Sequence, residues 1–341
     1  MAGEWVADIL GAPFEQQTLP LGEDFEGEVV ATIVRSQAHR HVLHHQPLAD
    51  VDVLYVHGWS DYFFQREFAT FWTDRGADFY ALDLRKYGRS LRPGQTPGYI
   101  ADLTTYDEDI SAALEAMNRP LAGEPAKRRL VLVGHSTGGL ILSLWAARHP
   151  RLISAVVLNS PWLEFQLSGT TRAAVSPLLS LETRLRPMET IPQVDLGYYA
   201  RAQREVRNAE DPLDVNLEWR PEQSMAVHAG WLHAVLVGHA RVASGLAIDA
   251  PVCVLLSAKS AIPRRWSEDL TRSDSVLVVD DIARASLKLA SSVTVDRIAG
   301  ALHDVFLSRA DVRDEAYYRL ERWVIGCLAT RAPVAPRPRF R

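Results

Sequence analysis

The sequence contains few cysteines and no long apolar run. Only Cys253 and Cys327 occur among the 341 residues, too few for the disulfide framework of a small secreted protein. No run of 18 apolar residues is present, and residues 1–11 carry no basic cluster ahead of an apolar stretch, so neither a membrane-spanning helix nor a secretory signal is expected. We therefore expect a cytoplasmic protein without stable membrane insertion.

The chain also has no excess of basic charge. Its formal net charge is −5, whereas a nucleic-acid-binding protein needs a basic face, so no nucleic-acid partner is expected. Repeats with a period of about 20–50 residues are absent as well, which excludes solenoids and propellers. Hydrophobic residues make up 47% of the chain and charged residues 23%, values that are typical of a folded globular protein.

Short apolar runs alternate with amphipathic stretches along most of the chain. Stretches with helical periodicity lie at 62–76, 105–119 and 139–150. Residues 14–21 and 27–36 are predicted strands, and six further apolar runs are too short for helices: 51–58, 78–85, 128–136, 153–161, 251–258 and 292–299. Such alternation predicts an α/β fold with a mostly parallel central sheet flanked by helices.

The alternation is interrupted once, between residues 161 and 248. This segment contains no convincing core strand and is rich in Leu, Trp, Arg and Tyr. Prolines interrupt it, among them Pro187, Pro192, Pro212 and Pro221. We interpret it as a helical cap inserted over the C-terminal edge of the sheet. The predicted organisation is a core of residues 1–160 and 249–331, a cap of residues 161–248, and a flexible Pro- and Arg-rich tail, 332–341.

A complete G-x-S-x-G pattern occupies the junction between a predicted strand and a predicted helix. It consists of Gly134, His135, Ser136, Thr137 and Gly138 and is typical of the nucleophile turn of the α/β-hydrolase fold. A sharp turn exposes the serine hydroxyl, the glycines permit that turn, and the helix N-terminus favours developing negative charge. Ser136 is therefore the predicted nucleophile; a chance match in a glycine-containing loop is disfavoured by the flanking elements.

An acyl-transfer site also needs N–H donors for the oxyanion. His57, Gly58 and Trp59 follow the apolar residues VDVLYV (51–56) of a predicted strand, where the donor loop of this fold is expected. We predict the backbone N–H groups of Trp59 and Thr137 as the oxyanion pair and interpret His57 as structural. The alternative is an ordinary turn after a strand.

The general base is expected late in the chain, because triad partners in this fold follow the order serine, acid, histidine. Eleven histidines compete for the role. His303 lies in a glycine-containing loop after the last predicted strand and before a predicted terminal helix, from which it can reach Ser136. A surface histidine is the alternative interpretation.

The acid is the hardest member of the triad to assign. The predicted strand 251–258 ends in Ser257, Ala258 and Lys259, so an alanine and a lysine occupy the position where an acid often follows. Asp274 is the predicted acid, since one helix, starting near residue 281 and ending near 290, and one strand fit between it and His303. It would hold the imidazole tautomer and stabilise the imidazolium. Its rivals are Asp280 and Asp281, either of which also suits a helix N-cap.

Four segments, in this order, resemble the monoglyceride-lipase and serine-aminopeptidase-like branch of the α/β-hydrolases, a lysophospholipase-like group. They are VHGWSDYFFQ (56–65), ALDLRKYGRSLR (81–92), VGHSTGGL (133–140) and GALHD (300–304). The resemblance spans nearly the whole chain outside the cap and implies a Ser-Asp-His triad, a helical cap and no metal or other cofactor. Lys86 stands where the branch has a glycine, and Ser90 is expected to be a structural turn serine.

Two further groups of residues have competing interpretations. His39, His41, His44 and His45 could bind a metal through imidazoles, but no carboxylate or cysteine reinforces them at ligand spacing, so a polar loop is preferred and no metal is expected. Six aromatic residues of the cap could line an acyl pocket, although packing between helices is the favoured role: Trp162, Phe165, Tyr198, Tyr199, Trp219 and Trp231.

The predicted activity is hydrolysis of a small-molecule carboxylic ester, such as a monoacylglycerol or lysophospholipid, through an acyl-enzyme. A serine aminopeptidase of the proline-iminopeptidase type is the alternative. It would need an acidic group for the substrate ammonium, and the candidates are Glu164, Glu205, Glu210, Asp211 and Asp214. A non-catalytic binding module is less favoured, because serine and histidine are both present. The oligomeric state is left open.

Overall fold

A single mixed sheet organises the computed structural model, which describes residues 3–38, 46–119, 121, 127–165, 186–192, 195–208, 210–261 and 265–329. Nine strands lie in the order β1-β2-β3-β5-β4-β6-β7-β8-β9 within the described ranges. They are β1 (Val6–Ala7), β2 (Glu15–Asp24), β3 (Gly27–Ser36), β4 (Val51–Val56), β5 (Asp78–Asp83), β6 (Arg129–His135), β7 (Ala155–Asn159), β8 (Val252–Ser257) and β9 (Val293–Ile298). The pairs up to β3–β5 are antiparallel and all others are parallel.

Seven α-helices accompany the sheet in the described part of the chain. They are α1 (Arg66–Thr73), α2 (Tyr106–Ala116), α3 (Thr137–Arg148), α4 (Tyr198–Glu205), α5 (Ala229–Ala243), α6 (Val279–Ser286) and α7 (Ala310–Ala329). Within the same residues no helix is both long and apolar enough to cross a membrane.

The central strands are buried on both faces, as their continuous apolar runs predict. Every residue of β4, β5, β7 and β8 is buried. Alternate residues of β4 enter different clusters, with Leu54 in one and Tyr55 in the other. Helices α1 and α7 cover the Tyr55 side, whereas α2, α3, α5 and α6 cover the Leu54 side. The predicted α/β-hydrolase fold, with helices on both faces of a mostly parallel sheet, is confirmed.

Some predicted boundaries were wrong. The short strand β1 was not predicted, and α6 begins at Val279 and ends at Ser286, not near 281 and 290. The early end has a visible cause, because the carbonyls of Lys288 and Leu289 accept the N–H groups of Leu246 and Ile248. These carbonyls hold the chain ahead of β8 beside the helix end.

Strands β7 and β8 are neighbours in the sheet, yet the chain between Asn159 and Val252 leaves it. We call residues 161–248 the β7–β8 segment. Its described part contains α4 and α5, and α5 packs against α3, with Gly238 facing Leu140 and Leu144. The interpretation of this segment as a cap stays a prediction, and the predicted tail, 332–341, lies outside the described residues.

Candidate active site

A cavity of about 570 Å³ opens at the carboxyl ends of the parallel strands. Three loops contribute to its lining: Trp59 follows β4, Ser136 follows β6 and His303 follows β9. In open α/β sheets ligands bind at this edge of the sheet. The predicted nucleophile, base and oxyanion donors therefore border one shared space.

Ser136 forms a strained turn between β6 and α3. Its φ is +49° and its ψ −116°, a conformation that costs a non-glycine residue about 1–3 kcal/mol. The turn is held by hydrogen bonds on both sides. The N–H of Ser136 donates to the carbonyl of Asn159 at 3.0 Å, and its own carbonyl accepts the N–H groups of Gly139 and Trp162 at 3.0 and 2.9 Å.

The glycines of the G-x-S-x-G pattern are required by close backbone contacts. A Cβ on Gly138 would lie 2.3 Å from the carbonyl oxygen of His57 and 2.4 Å from that of Val56. A Cβ on Gly134 would lie 2.7 Å from the Cα of Gly139. Helix α3 can therefore approach β4 and β6 only because these side chains are absent.

His303 and Asp274 form a buried pair. Nδ1 of His303 lies 2.9 Å from Oδ2 of Asp274, and the side chains are 3% and 0% exposed. The other oxygen of the carboxylate, Oδ1, accepts the backbone N–H groups of Val276 and Leu277, each at 2.7 Å. With Nδ1 bound to the carboxylate, Nε2 is the nitrogen that remains to exchange a proton at the cavity.

Asp274 reaches this place because the chain returns to the end of β8. The N–H of Asp274 donates to the carbonyl of Lys259 at 3.0 Å, and its own carbonyl accepts the N–H of Ala261 at 2.8 Å. Asp274 thus pairs in parallel with Ser260, just beyond β8. The acid stands beside the strand end, although Ala258 and Lys259 occupy the next positions in sequence.

The two rival carboxylates are engaged elsewhere. Asp280 pairs with Arg297 at 2.6 Å, and Asp281 pairs with Arg284. The N-cap position of α6 is Val278, so the N-cap interpretation of either aspartate was wrong; both lie in the first turn.

Two backbone N–H groups remain unbonded near the nucleophile. Within the described residues the N–H groups of Trp59 and Thr137 have no hydrogen-bond partner, and both residues line the cavity. The loop after β4 lies against the turn, since a Cβ on Gly58 would be 3.0 Å from the Cβ of Ser136. The use of the Trp59 and Thr137 N–H groups as an oxyanion hole stays a prediction.

Both histidines adjoining the predicted site bind backbone. His57 accepts the N–H of Leu84 at Nε2, 3.1 Å away, so its Nδ1–H donates to the carbonyl of Gly58 at 2.8 Å. His135 places Nδ1 3.1 Å from the carbonyl of Asn159. Burial lowers the pKa of His135 below its ordinary value, against the opposing influence of the Asp304 carboxylate.

The unusual lysine and the turn serine have structural surroundings. Lys86 has a φ of +62°, which explains the glycine that the resembling family carries there. Its buried ammonium pairs with Asp24 at 2.6 Å and with Glu26 at 2.5 Å. The Ser90 hydroxyl is buried and donates to the carbonyl of Asp83 at 2.7 Å.

Aromatic side chains of the β7–β8 segment both pack and line the cavity. Trp162, Tyr198, Tyr199 and Trp231 are lining residues, whereas Phe165 and Trp219 are not. The ring of Trp231 packs against Trp59 with centroids 3.8 Å apart and an interplanar angle of 40°, and it lies 6.0 Å from Trp162. The favoured interpretation, packing alone, is thus incomplete for the four lining residues.

An ion pair that the sequence analysis missed crosses the cavity wall. Nε of Arg220 donates to Oδ1 of Asp61 at 2.7 Å, and a terminal nitrogen donates to Gln203 at 2.9 Å. Burial lowers the pKa of Arg220, but the Asp61 carboxylate outweighs it and the net shift is upward. Only Asp61 had a sequence signal, its place in the family-like segment 56–65.

The acidic candidates for ammonium binding do not line the cavity. Glu205 pairs with Arg201, Asp211 with Arg313 and Asp214 with Arg66, and Glu164 and Glu210 also lie off the lining. Among the residues that the structure describes, the carboxylates that do line it are Asp61, Asp195 and Glu222.

Metal binding has no further support in the described ranges, where no three His, Cys, Asp or Glu side chains group as ligands. The histidine cluster, His39, His41, His44 and His45, lies outside those ranges.

Solved structures share this architecture at low sequence identity. The monoacylglycerol lipase of Paleococcus ferrophilus is 18% identical, with a TM-score of 0.59 over 81% of this chain and 94% of that chain. A soluble variant of the Saccharomyces cerevisiae monoglyceride lipase, in complex with a substrate analog, is 15% identical, with a TM-score of 0.60 over 91% and 96%. A putative aryl esterase from Burkholderia cenocepacia is 18% identical, with a TM-score of 0.52 over 92% and 99%. These likenesses show the fold.

Sequence comparison identifies the family. No curated protein is significantly similar to the chain. The family model described as Serine aminopeptidase, S33 matches residues 49–261, a range that contains the G-x-S-x-G turn and the loop after β4. The chain therefore belongs to the Serine aminopeptidase, S33 family, which confirms the resemblance, and is a serine hydrolase of the α/β-hydrolase fold.

Proposed function

We propose that the protein hydrolyses carboxylic esters with Ser136 as nucleophile, His303 as general base and Asp274 as the residue that orients the imidazole. The observation that carries this proposal is the 2.9 Å contact between His303 and Asp274 at the wall of a cavity that Ser136 also lines. A strained serine turn, an imidazole and a buried carboxylate together form the constellation used for acyl transfer.

The reaction proceeds through an acyl-enzyme. His303 accepts the Ser136 hydroxyl proton at Nε2 while Oγ attacks the ester carbonyl carbon, and the N–H groups of Trp59 and Thr137 donate to the oxyanion. The tetrahedral intermediate expels the alcohol, which takes the proton from the imidazolium. Water then attacks the acyl-enzyme with the same base, and the acid leaves. Asp274 stays ionised throughout and stabilises the imidazolium.

The substrate proposed is an ester of a fatty acyl chain, such as a monoacylglycerol or lysophospholipid. The indoles of Trp59 and Trp231, which pack against each other, offer an apolar wall for the chain. We assign the β7–β8 segment, residues 161–248, as a cap over the site. Monoacylglycerol lipases among the structural neighbours support this choice.

An aminopeptidase is the second candidate, favoured by the family's description. It requires a carboxylate that can bind a substrate ammonium. Among the described residues each lining carboxylate is already engaged: Asp61 by Arg220, Glu222 by Arg204 at 2.7 Å, and Asp195 by Gly197 and Ser224. Arginines thus neutralise Asp61 and Glu222, and the Asp195 carboxylate accepts hydrogen bonds from neutral groups. These contacts favour an uncharged ester over an aminoacyl amide.

The test compares the wild type with Ser136→Ala. The variant should lose hydrolysis of a p-nitrophenyl ester panel by about 10⁴-fold or more and should not react with a fluorophosphonate probe, with its fold intact by circular dichroism. Retained turnover would remove Ser136 as nucleophile. A wild-type enzyme that cleaves prolyl amides faster than any ester would favour the aminopeptidase. Failure of the wild type to label would favour a non-catalytic binding module.

The location in the cell is also a proposal. The chain contains only two cysteines, and Cys253 is buried inside β8. So few cysteines support a reducing compartment, and we propose a cytoplasmic location on that basis.

A further inference from the structure

Asn159 is the last residue of β7 and adjoins the nucleophile turn through its backbone. Its carbonyl oxygen accepts the N–H of Ser136 at 3.0 Å and lies 3.1 Å from Nδ1 of His135. These contacts hold the two residues at the end of β6. The side chain of Asn159 is 2% exposed and is not part of the cavity lining.

The side chain of Asn159 binds the loop that carries the base. Its Nδ2 donates to Oδ1 of Asp304 at 2.7 Å, and its Oδ1 accepts the N–H of Val305 at 3.2 Å. Asp304 directly follows His303 in the chain. Asn159 therefore bonds to the nucleophile turn through its backbone carbonyl and to the base loop through its buried side-chain amide.

The buried carboxylate of Asp304 accepts a hydrogen bond from this amide. The carboxylate is 2% exposed, and no cation pairs with it within the described residues. It accepts hydrogen bonds from neutral groups: Asn159 at 2.7 Å, the N–H of Phe306 at 3.0 Å and Gln65 at 3.4 Å. Hydrogen bonds to a charged acceptor are about twice as strong as neutral ones, and the shortest of the three comes from Asn159.

We propose that Asn159 is a positioning residue that sets the placement of His303 relative to Ser136. The inference rests on the proposed function, which makes these two residues the base and the nucleophile. Asn159 is not itself a lining residue, so its effect should fall on the chemical step and not on substrate binding. A misplacement of about 1 Å in an active site can cost about 10²-fold in rate.

Only an amide meets both requirements at this position. A carboxylate of the same shape keeps the acceptor for the N–H of Val305 but turns the donor toward Asp304 into a second acceptor. Two carboxylates then face each other in a buried site, which is unfavourable. A methyl group removes both bonds while leaving the backbone contact with Ser136.

The experiment measures kcat and KM for a p-nitrophenyl ester in Asn159→Asp and Asn159→Ala, with rates expressed per active site titrated by a fluorophosphonate. Both variants should lose about tenfold to a hundredfold in kcat, with KM within twofold of the wild type. Asn159→Ala keeps the test decisive where the aspartate variant does not fold. Unchanged kcat, or a raised KM with unchanged kcat, overturns the proposal.

The matched control is Asp52→Asn, which alters an equally buried polar side chain near the amino end of β4, paired with Arg119 at 2.6 Å. It should lower the melting temperature without changing kcat per titrated site; an equal fall in kcat would make the Asn159 effect a general stability effect. Loss of activity in Ser136→Ala together with normal kcat in the Asn159 variants refutes the positioning role alone. Retained activity in Ser136→Ala refutes the proposed function and this inference with it.

Discussion

Asp274 holds His303 from a place that is fixed by backbone on two sides. Its Oδ2 lies 2.9 Å from Nδ1 of the imidazole, while Oδ1 accepts the N–H groups of Val276 and Leu277. Its own backbone pairs with the chain beyond β8 at Ser260. An aspartate with both carboxylate oxygens and both backbone polar groups bonded has little freedom to rotate. Its replacement should therefore disturb mainly the imidazole that it holds.

Replacement of Asp274 by asparagine is expected to cripple catalysis without unfolding the protein. The amide keeps the shape but stabilises neither the required tautomer nor the imidazolium, which in triads of this kind costs about 10⁴-fold in kcat. Asp280→Asn and Asp281→Asn are matched controls, because their partners are the surface residues Arg297 and Arg284. Ester hydrolysis measured for the three variants should rank Asp274→Asn far below the other two; the reverse ranking moves the acid.

The strands and the turn at Ser136 were predictable because their signals are local. Continuous apolar runs such as 51–58 and 251–258 have few alternatives to a buried strand, and the structure has β4 and β8 there. Ser136 carries a five-residue pattern at a strand–helix junction. The contact between His303 and Asp274 was predictable from chain order, although the parallel pairing that brings Asp274 beside β8 has no sequence signature; their catalytic roles stay predictions.

The polar contacts between distant segments could not be predicted. Asn159 ends a strand like many other residues, and nothing nearby in sequence indicates its bond to Asp304. Arg220 pairs with Asp61 in the cavity lining, although the two residues are far apart in the chain. Such pairs depend on how whole elements pack, whereas a single sequence reports only local preference.

Stability should depend on the protonation of His135. Burial lowers the pKa of this side chain in the folded protein, so below about pH 6.5, the ordinary value, the unfolded chain binds a proton that the folded protein does not. The stability that the folded protein gains from neutral His135 is therefore present above that pH and is lost as the pH falls. The variant His135→Gln keeps a donor for the Asn159 carbonyl in its amide. Its free energy of unfolding, measured with urea, should fall less between pH 7.5 and 5.5 than that of the wild type. An equal fall in the free energy of unfolding in both proteins would show that His135 does not cause the pH dependence.

Arg220 should determine the charge that the cavity accepts. Its guanidinium neutralises Asp61 at 2.7 Å, so Arg220→Gln leaves a lining carboxylate without its cation. Breaking one side of a buried pair costs about 3–5 kcal/mol of stability, and the variant should unfold at lower urea concentration. The unpaired carboxylate attracts an ammonium, so kcat/KM for an aminoacyl p-nitrophenyl ester should rise about tenfold relative to an uncharged ester of the same size.

The control for Arg220 is the double variant Asp61→Asn with Arg220→Gln. It removes both charges, so the ratio of kcat/KM for the two esters should return to that of the wild type, and part of the lost stability should be recovered because no buried charge is left unpaired. A ratio that stays unchanged in Arg220→Gln, or that rises equally in the double variant, would show that Asp61 does not act on the substrate. Comparison of the single and double variants thus separates the effect of charge in the cavity from the effect of cavity shape.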